Sequence, residues 1–398
     1  MSFELTEDHE MIQEMVRKFA ERELAPNIKE WDVQGGFPRS VLTKMGEQGI
    51  LGLCFPEEYG GGGMDYISLA IACEELERVD TSFRVPLSVH IGLCGLGILQ
   101  WATEEQKEKY LVPLATGEKV GSFGLTEPNA GSDAASLQTT ARLDGDNYIL
   151  NGEKMWISLA DVADTFLVFA RTGTAASRAR GISAFILERG TPGFASDTIH
   201  GKMGIRAGNT GSFSLVDCPV PKENLVGEEG EGFKIAMSCL DGGRYTVAAG
   251  SVGLIRASLE ASVKYAHERE TFGRPIAEHQ LVQQMIARMV RGMDASRLLV
   301  YRAGWLKNQG IRNTRETGLA KWVACDEAYQ AATDAIEIHG AYGYSNEYPV
   351  ERYLRNCKAA VIYEGSAEIQ TLLAAGYALG TRKDNPLRKE LPSWPFKE

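Results

Sequence analysis

No Cys-x-x-Cys pair occurs in the 398 residues, and the seven cysteines (Cys54, Cys73, Cys94, Cys218, Cys239, Cys325, Cys357) are scattered. That spacing excludes a disulfide framework and reads as buried thiols in a reducing cytoplasm. The six histidines form neither H-x-x-x-H nor H-x-H, so no metal site is expected. Positive charge is in deficit: 42 Lys and Arg against 53 Asp and Glu give a net charge of -11. Binding to nucleic acid draws on phosphate neutralisation, so no nucleic-acid partner is expected, although a local basic pocket can still hold an anionic ligand. No run of 18 apolar residues stands out, so no membrane span is expected. Met1-Ser2-Phe3-Glu4-Leu5 lacks a charged-then-apolar leader, so no signal peptide is expected.

What is present is an ordinary globular composition, 44% hydrophobic and 24% charged, long enough for two or three domains. Residues 1–120 read as a helical domain. Thr6 caps a helix with Met11, Ile12, Met15, Val16, Phe19, Ala20 and Leu24 at helical spacing, ended by Pro26. Gly60 to Gly63 read as a mobile connector, because no Gly-Lys-Ser/Thr follows to make a phosphate loop. Residues 121–230 read as a small β domain. Runs such as 165–169 and 182–187 are separated by turn residues, with Asp144-Gly145-Asp146-Asn147 and Asn151-Gly152 as hairpin punctuation. The polar stretch Thr172 to Arg180 is expected to lack fixed order. Residues 231–398 return to helical period, with Met285, Met289 and Met293 on a stripe that suits a helix–helix core. The fold class is therefore α+β, ordered helical, β, helical.

Four stretches carry chemistry. Val361-Ile362-Tyr363-Glu364-Gly365 sets a lone acid between an apolar run and a glycine, before a helix. Poor solvation there raises the proton affinity of Glu364 toward that of a general base, and free N–H groups at the helix start suit an oxyanion. A solvated glutamate in a first helical turn is the plainer alternative. Gly121 to Asp133 offers backbone donors, small residues and hydroxyls suited to a hydrogen-bonding heterocycle or a phosphate, with a plain turn rich in Gly, Ser and Asp as the alternative. Trp156 and Ser158 share a strand face, where an indole and a hydroxyl suit the same ring system. Arg269 and Thr271 suit a pyrophosphate, unless they belong to a surface ion-pair network.

Taken in this order, the stretches resemble the acyl-CoA dehydrogenase family over essentially the whole chain. The matching segments are 56–61, 125–128 with 130–133, 154–157, 269–273, 343–344 with 347–350, and 363–365. The resemblance implies an N-terminal helical domain, a middle β-barrel and a C-terminal four-helix bundle, assembled as a homotetramer around FAD. It places Phe123, Leu125, Thr126, Gly131, Ser132, Trp156 and Ser158 against the flavin or its ribityl phosphate. It directs Arg269, Thr271, Phe272 and Gln280 to the FAD of a neighbouring subunit. Glu337, Gly340, Ser366 and Glu368 occupy further cofactor positions, although Glu337, Ser366 and Glu368 depart from the residues common there. Glu364 matches the catalytic base, whose backbone N–H, with a ribityl hydroxyl, stabilises an enolate-like thioester oxygen. Ser132, Asp241, Arg244 and Gly365 match positions that meet the acyl-CoA substrate. Electron transfer flavoprotein is the implied electron acceptor. Oxidases share this fold and remain an alternative.

The stretch Glu77 to Leu87 looks like the corresponding helix of glutaryl-CoA dehydrogenases, where an Arg at the position of Arg84 pairs with a distal carboxylate. A guanidinium among Val85, Leu87, Val89 and Ile91 is expected to need an anionic substrate to neutralise it. The plainer alternative is that Arg84 pairs with Glu77 or Asp80. A glutaryl-CoA-like substrate is the expectation, with a neutral short- or branched-chain acyl-CoA as the alternative.

Overall fold

The computed structural model describes residues 4–396. Thr6 caps helix α1 (Glu7–Phe19), accepting a hydrogen bond from the His9 backbone N–H. Helices α2 (Ile28–Gln34) and α3 (Ser40–Glu47) follow, and α4 (Tyr66–Val79) packs against α1. Arg17 of α1 donates to the buried Glu75 of α4 at 2.8 Å, so the helices are tied as well as packed. The glycine connector is pinned by Gly62 N–H to Gly52 O at 2.9 Å and Gly63 N–H to Phe55 O at 2.9 Å, so it is a hydrogen-bonded turn.

Asp80 breaks the chain after α4 and caps α5 (Thr81–Trp101), its Oδ1 accepting from Ser82 N–H at 2.9 Å. By length and composition α5 is apolar enough to cross a membrane, which the sequence reading did not anticipate. It is wholly buried inside the protein and forms the central core helix. Short helical turns over residues 104–115 lead into the sheet.

The sheet has eight strands: β1 (Gly121–Gly124), β2 (Thr140–Asp144), β3 (Asn147–Ser158), β4 (Thr165–Arg171), β5 (Ile182–Glu188), β6 (Phe194–Thr198), β7 (Thr210–Pro221) and β8 (Leu225–Val226). They run in the order β6-β7-β3-β2-β4-β5-β8, with β1 parallel to β4. Gly145 and Asp146 make the two-residue turn between β2 and β3, as their composition suggests. Asn151-Gly152 is different. It lies inside β3 opposite a bulge of β7, where Val216 and Asp217 together face Asn151, so it makes no turn. The polar loop after β4 is ordered by Arg171, whose guanidinium donates to the carbonyls of Ala135, Leu137, Thr174 and Arg178. That multidentate grip is what composition alone misses.

Helix α6 (Gly232–Glu268) runs through the core, followed by the small hairpin β9 (Glu270–Thr271) and β10 (Arg274–Pro275). Helices α7 (Gln280–Asn308), α8 (Thr314–His339), α9 (Val350–Ala360) and α10 (Ala367–Ala378) complete the bundle. Met289 is buried and Met285 and Met293 pack beside it, as the stripe implied. Leu281 and Leu298 of α7 remain exposed at 75% and 52%. Asp80 also joins the two helical regions, its Oδ2 accepting from Arg352 at 2.9 Å and Asn356 at 2.8 Å.

Candidate active site

Residues 361–366 form the turn between α9 and α10. The Ser366 hydroxyl caps α10 by accepting from Ile369 N–H at 3.4 Å, so it serves the helix first. The turn needs a left-handed backbone at two consecutive residues, Glu364 (φ +54°) and Gly365 (φ +92°). Left-handed geometry at a glutamate is uncommon and persists where the surroundings enforce it. Here the carbonyls do: Arg244 Nε lies 3.3 Å from Glu364 O, and Gln370 Nε2 lies 3.1 Å from Gly365 O.

The Glu364 carboxylate points into the protein, and its Oε2 is buried with no hydrogen-bond partner. Gly243 of α6 makes room for it, since a Cβ there would stand 2.0 Å from Oε2. Burial raises the proton affinity of Glu364, and the cations of Arg84, Lys321 and Arg244 pull it back down. One carboxylate oxygen is therefore shut away from water, and no hydrogen-bonded partner satisfies it. That is the environment of a general base.

Arg84 approaches the same turn from α5. It is fully buried. Its Nε donates to Glu77 Oε2 at 2.7 Å, Nη1 to Ser88 Oγ at 2.8 Å, and Nη2 to the Tyr363 hydroxyl. Thr81 donates to the other Glu77 oxygen at 2.8 Å. Burial by itself lowers the guanidinium's proton affinity, but Glu77 and its neighbours hold it above the ordinary range. The expectation that only an anionic substrate can neutralise Arg84 is thus corrected: Glu77 already does so. Gly250 of α6 provides the space, because a Cβ there would lie 1.9 Å from Glu77 Oε2.

Asp241 and Arg244 of α6 are both buried and joined at 3.2 Å, and Asp241 also accepts from Thr314 at 2.6 Å. Arg244 reaches the Glu364 carbonyl directly, so it belongs to the base turn. Gly365 adjoins it, whereas Glu368 is exposed on α10.

Phe123, Leu125, Thr126, Trp156 and Ser158 come together on the sheet. Met155 N–H donates to Thr126 O at 2.9 Å, and Ser122 Oγ donates to Ser158 O at 2.7 Å. Trp156 sits at a second slip of β3 with φ +62°, leaving its indole 56% exposed. Beneath it, the buried Lys154 ammonium donates to Glu127 at 2.7 Å and to Leu125 O at 3.2 Å. An outturned indole one residue along from the Met155–Thr126 backbone bond fits a flat, hydrogen-bonding ring such as a flavin. Gly131 and Ser132 are exposed on the following loop.

Arg269, Thr271, Phe272 and Gln280 form a second group around the β9–β10 hairpin, with Thr271 Oγ1 2.9 Å from His279 Nε2. Phe272 is 97% exposed. Arg269 lines a cavity of about 570 Å³ with Tyr265, Glu268, Tyr342, Glu347 and Tyr348. Glu337 and Gly340 lie at the end of α8. Among the described residues no hydrogen bond, ion pair or ring contact joins this group to Thr126 or Trp156. Sequence reasoning missed Lys321, Gln370 and the Tyr363 hydroxyl. A lone lysine within Leu319-Ala320-Lys321-Trp322-Val323-Ala324 was the available signal.

Three family models match in succession: the acyl-CoA dehydrogenase N-terminal domain over residues 6–118, the middle domain over 122–218 and the C-terminal domain over 230–378. The chain belongs to the acyl-CoA dehydrogenase family. It is 45% identical to the short-chain-specific acyl-CoA dehydrogenase of Clostridium acetobutylicum over 376 residues, covering 94% of this chain and 99% of that one. A structure reported for the electron transferring flavoprotein of Acidaminococcus fermentans contains a chain that aligns with TM-score 0.93 and 49% identity, covering 95% of this chain and 100% of that one. A glutaryl-coenzyme A dehydrogenase in complex with glutaryl-CoA aligns with TM-score 0.94 and 40% identity, covering 98% and 99%. The protein is an FAD-dependent oxidoreductase acting on acyl-CoA thioesters.

Proposed function

We propose that Glu364 abstracts the α-proton of a short-chain acyl-CoA, yielding the 2-enoyl-CoA. The observation that carries this reading is the buried, unpartnered Glu364 Oε2 facing three cations. Bound FAD supplies the acceptor for the β-hydride. The chain's own residues fix the geometry: Arg244 and Gln370 hold the base turn, and Gly243 keeps the carboxylate's space open. Phe123, Leu125, Thr126, Ser132, Trp156 and Ser158 form the face that would hold the flavin ring and its ribityl chain, while Asp241 and Arg244 line the substrate side.

A short, neutral acyl chain is the preferred substrate. Glu77 already neutralises Arg84, and the Arg84–Tyr363 contact sets a polar barrier beside the base that a long apolar chain would meet at a desolvation cost. The similarity to a short-chain-specific relative supports the same reading. One observation favours a second reading, a glutaryl-CoA-like thioester: the guanidinium is buried beside the base turn, where a distal carboxylate could replace the Tyr363 hydroxyl. Anaerobic bleaching of the flavin by butyryl-, hexanoyl- and glutaryl-CoA decides between them. The fastest bleaching is expected with butyryl-CoA. Preference for glutaryl-CoA would overturn the neutral reading in favour of the second, and bleaching by none of the three would remove both.

The further assignments are an electron transfer flavoprotein as electron acceptor, a homotetramer and a cytoplasmic setting. Exposed Phe272, Leu281 and Leu298 support subunit contacts, and seven free, buried cysteines suit a reducing compartment. Domain divisions at 1–120, 121–230 and 231–398 follow the change from helices to sheet and back.

A further inference from the structure

Lys321 lies in the middle of α8 and is 1% exposed. A buried ammonium is costly unless something compensates it. Its hydrogen bond goes to the Gly365 carbonyl at 2.8 Å, and among the described residues no carboxylate forms an ion pair with it. A structural lysine would normally be expected to reach water or a bonded acid. This one is spent on the residue after the base.

The position explains the expense. Rotation about the N–Cα bond of Glu364 sets its backbone N–H relative to Cβ, the root of the side chain that carries the carboxylate. That torsion is held at +54° in the left-handed region. It stays there because the next two carbonyls are tied: Glu364 O by Arg244, and Gly365 O by both Gln370 and Lys321. Of the two donors on Gly365 O, Lys321 makes the shorter contact and alone carries charge. Its charge also acts through space on the carboxylate, alongside Arg84 from α5 and Arg244 from α6. The other charged or titratable groups facing Lys321 are Cys325, Arg244 and Asp326.

We infer that Lys321 is a positioning residue for the α-proton abstraction, fixing the left-handed turn through Gly365 O and setting a positive charge near the Glu364 carboxylate. It rests on Glu364 being the base. Removing the charge therefore has two separable consequences: the turn loosens, and the carboxylate binds its proton more tightly.

The test is the pH dependence of anaerobic flavin reduction by butyryl-CoA in the FAD-loaded enzyme, for wild type, Lys321→Met and Lys321→Gln. Gln can still donate to Gly365 O but carries no charge. The acid limb is expected to move upward by about one pH unit in both variants, a roughly tenfold loss at a fixed pH below the limb. The high-pH plateau is expected to fall further in Lys321→Met than in Lys321→Gln, which keeps the hydrogen bond. An acid limb superimposable on the wild type in whichever variant folds, whatever the plateau, overturns the inference and leaves Lys321 structural. Glu364→Gln run in parallel separates the two readings. If that variant still reduces the flavin, the base assignment itself has failed.

Discussion

Arg84 and Tyr363 stand 279 residues apart in sequence, yet the guanidinium of one donates to the hydroxyl of the other, immediately before the candidate base. The contact ties the core helix α5 to the base turn. It sets Glu77, Arg84, Tyr363 and Glu364 in one connected group, in which a change to any member is felt by the base.

Replacing Arg84 by Met leaves Glu77 buried and unpaired, which costs about 3–5 kcal/mol. The double variant Glu77→Gln/Arg84→Met removes both charges and is expected to recover most of that loss. Thermal unfolding of the two variants measures the difference. Equal losses would show that Glu77 finds another partner or takes up a proton at no cost. With butyryl-CoA the double variant is expected to keep its activity to within about tenfold on the high-pH plateau, where Glu364 is ionised without help from Arg84.

Glu364→Gln preserves shape and removes the proton acceptor. Flavin reduction by acyl-CoA is expected to fall roughly 100- to 10,000-fold with FAD still bound. Stopped-flow reduction and the visible spectrum read the two quantities separately, and near-normal reduction would place the base elsewhere.

Gly243→Ala puts a Cβ where the Glu364 Oε2 now lies, at 2.0 Å. The carboxylate must move by an ångström or more, and misplacement on that scale costs about 100-fold in rate. FAD content is expected to stay at the wild-type level, because Trp156 and Thr126 lie on the sheet. Loss of both together would show that Gly243 supports the fold at large.

His90 in α5 is fully buried, accepting from Gly121 N–H at 2.9 Å through Nδ1, with Nε2 3.2 Å from Leu114 O. Burial depresses its pKa to about 4. Between that value and the unfolded value near 6.5 the unfolded chain binds more protons. The contribution of His90 to stability is therefore complete above about pH 6.5 and is lost as pH falls toward 4. Over that window the loss is on the order of 3 kcal/mol. His90→Gln, which keeps a donor and an acceptor without titrating, is expected to show a flatter melting temperature from pH 7 to 4. Parallel curves would assign the acid sensitivity to other groups.

The position of Glu364 at a loop-to-helix junction was legible in sequence, but a solvated first-turn glutamate fitted the same residues, and only the packing of Gly243 against its buried Oε2 sets that alternative aside. The pairing of Arg84 was harder to read. Glu77 belongs to α4 and Arg84 to α5, across the break at Asp80, so no rule for spacing along one helix applies. Asp80, the other nearby acid, caps α5 and binds Arg352 and Asn356 from the far end of the chain. Asn151-Gly152 has the composition of a turn but lies in a strand paired with β7, whose Asp217 is 66 residues away, and only that pairing keeps it extended. Lys321 carried no motif at all. Its role comes from a carbonyl 44 residues away.

Asp80 has a consequence for the order in which the molecule is made. Its Oδ2 waits for Arg352, 272 residues downstream, and such distant closure comes at a high loop entropy and late in folding. During synthesis the N-terminal helices emerge long before α9 does. The α5 cap and α9 are therefore joined only when nearly the whole chain has been released, so an interrupted chain carries Arg84 without Glu364.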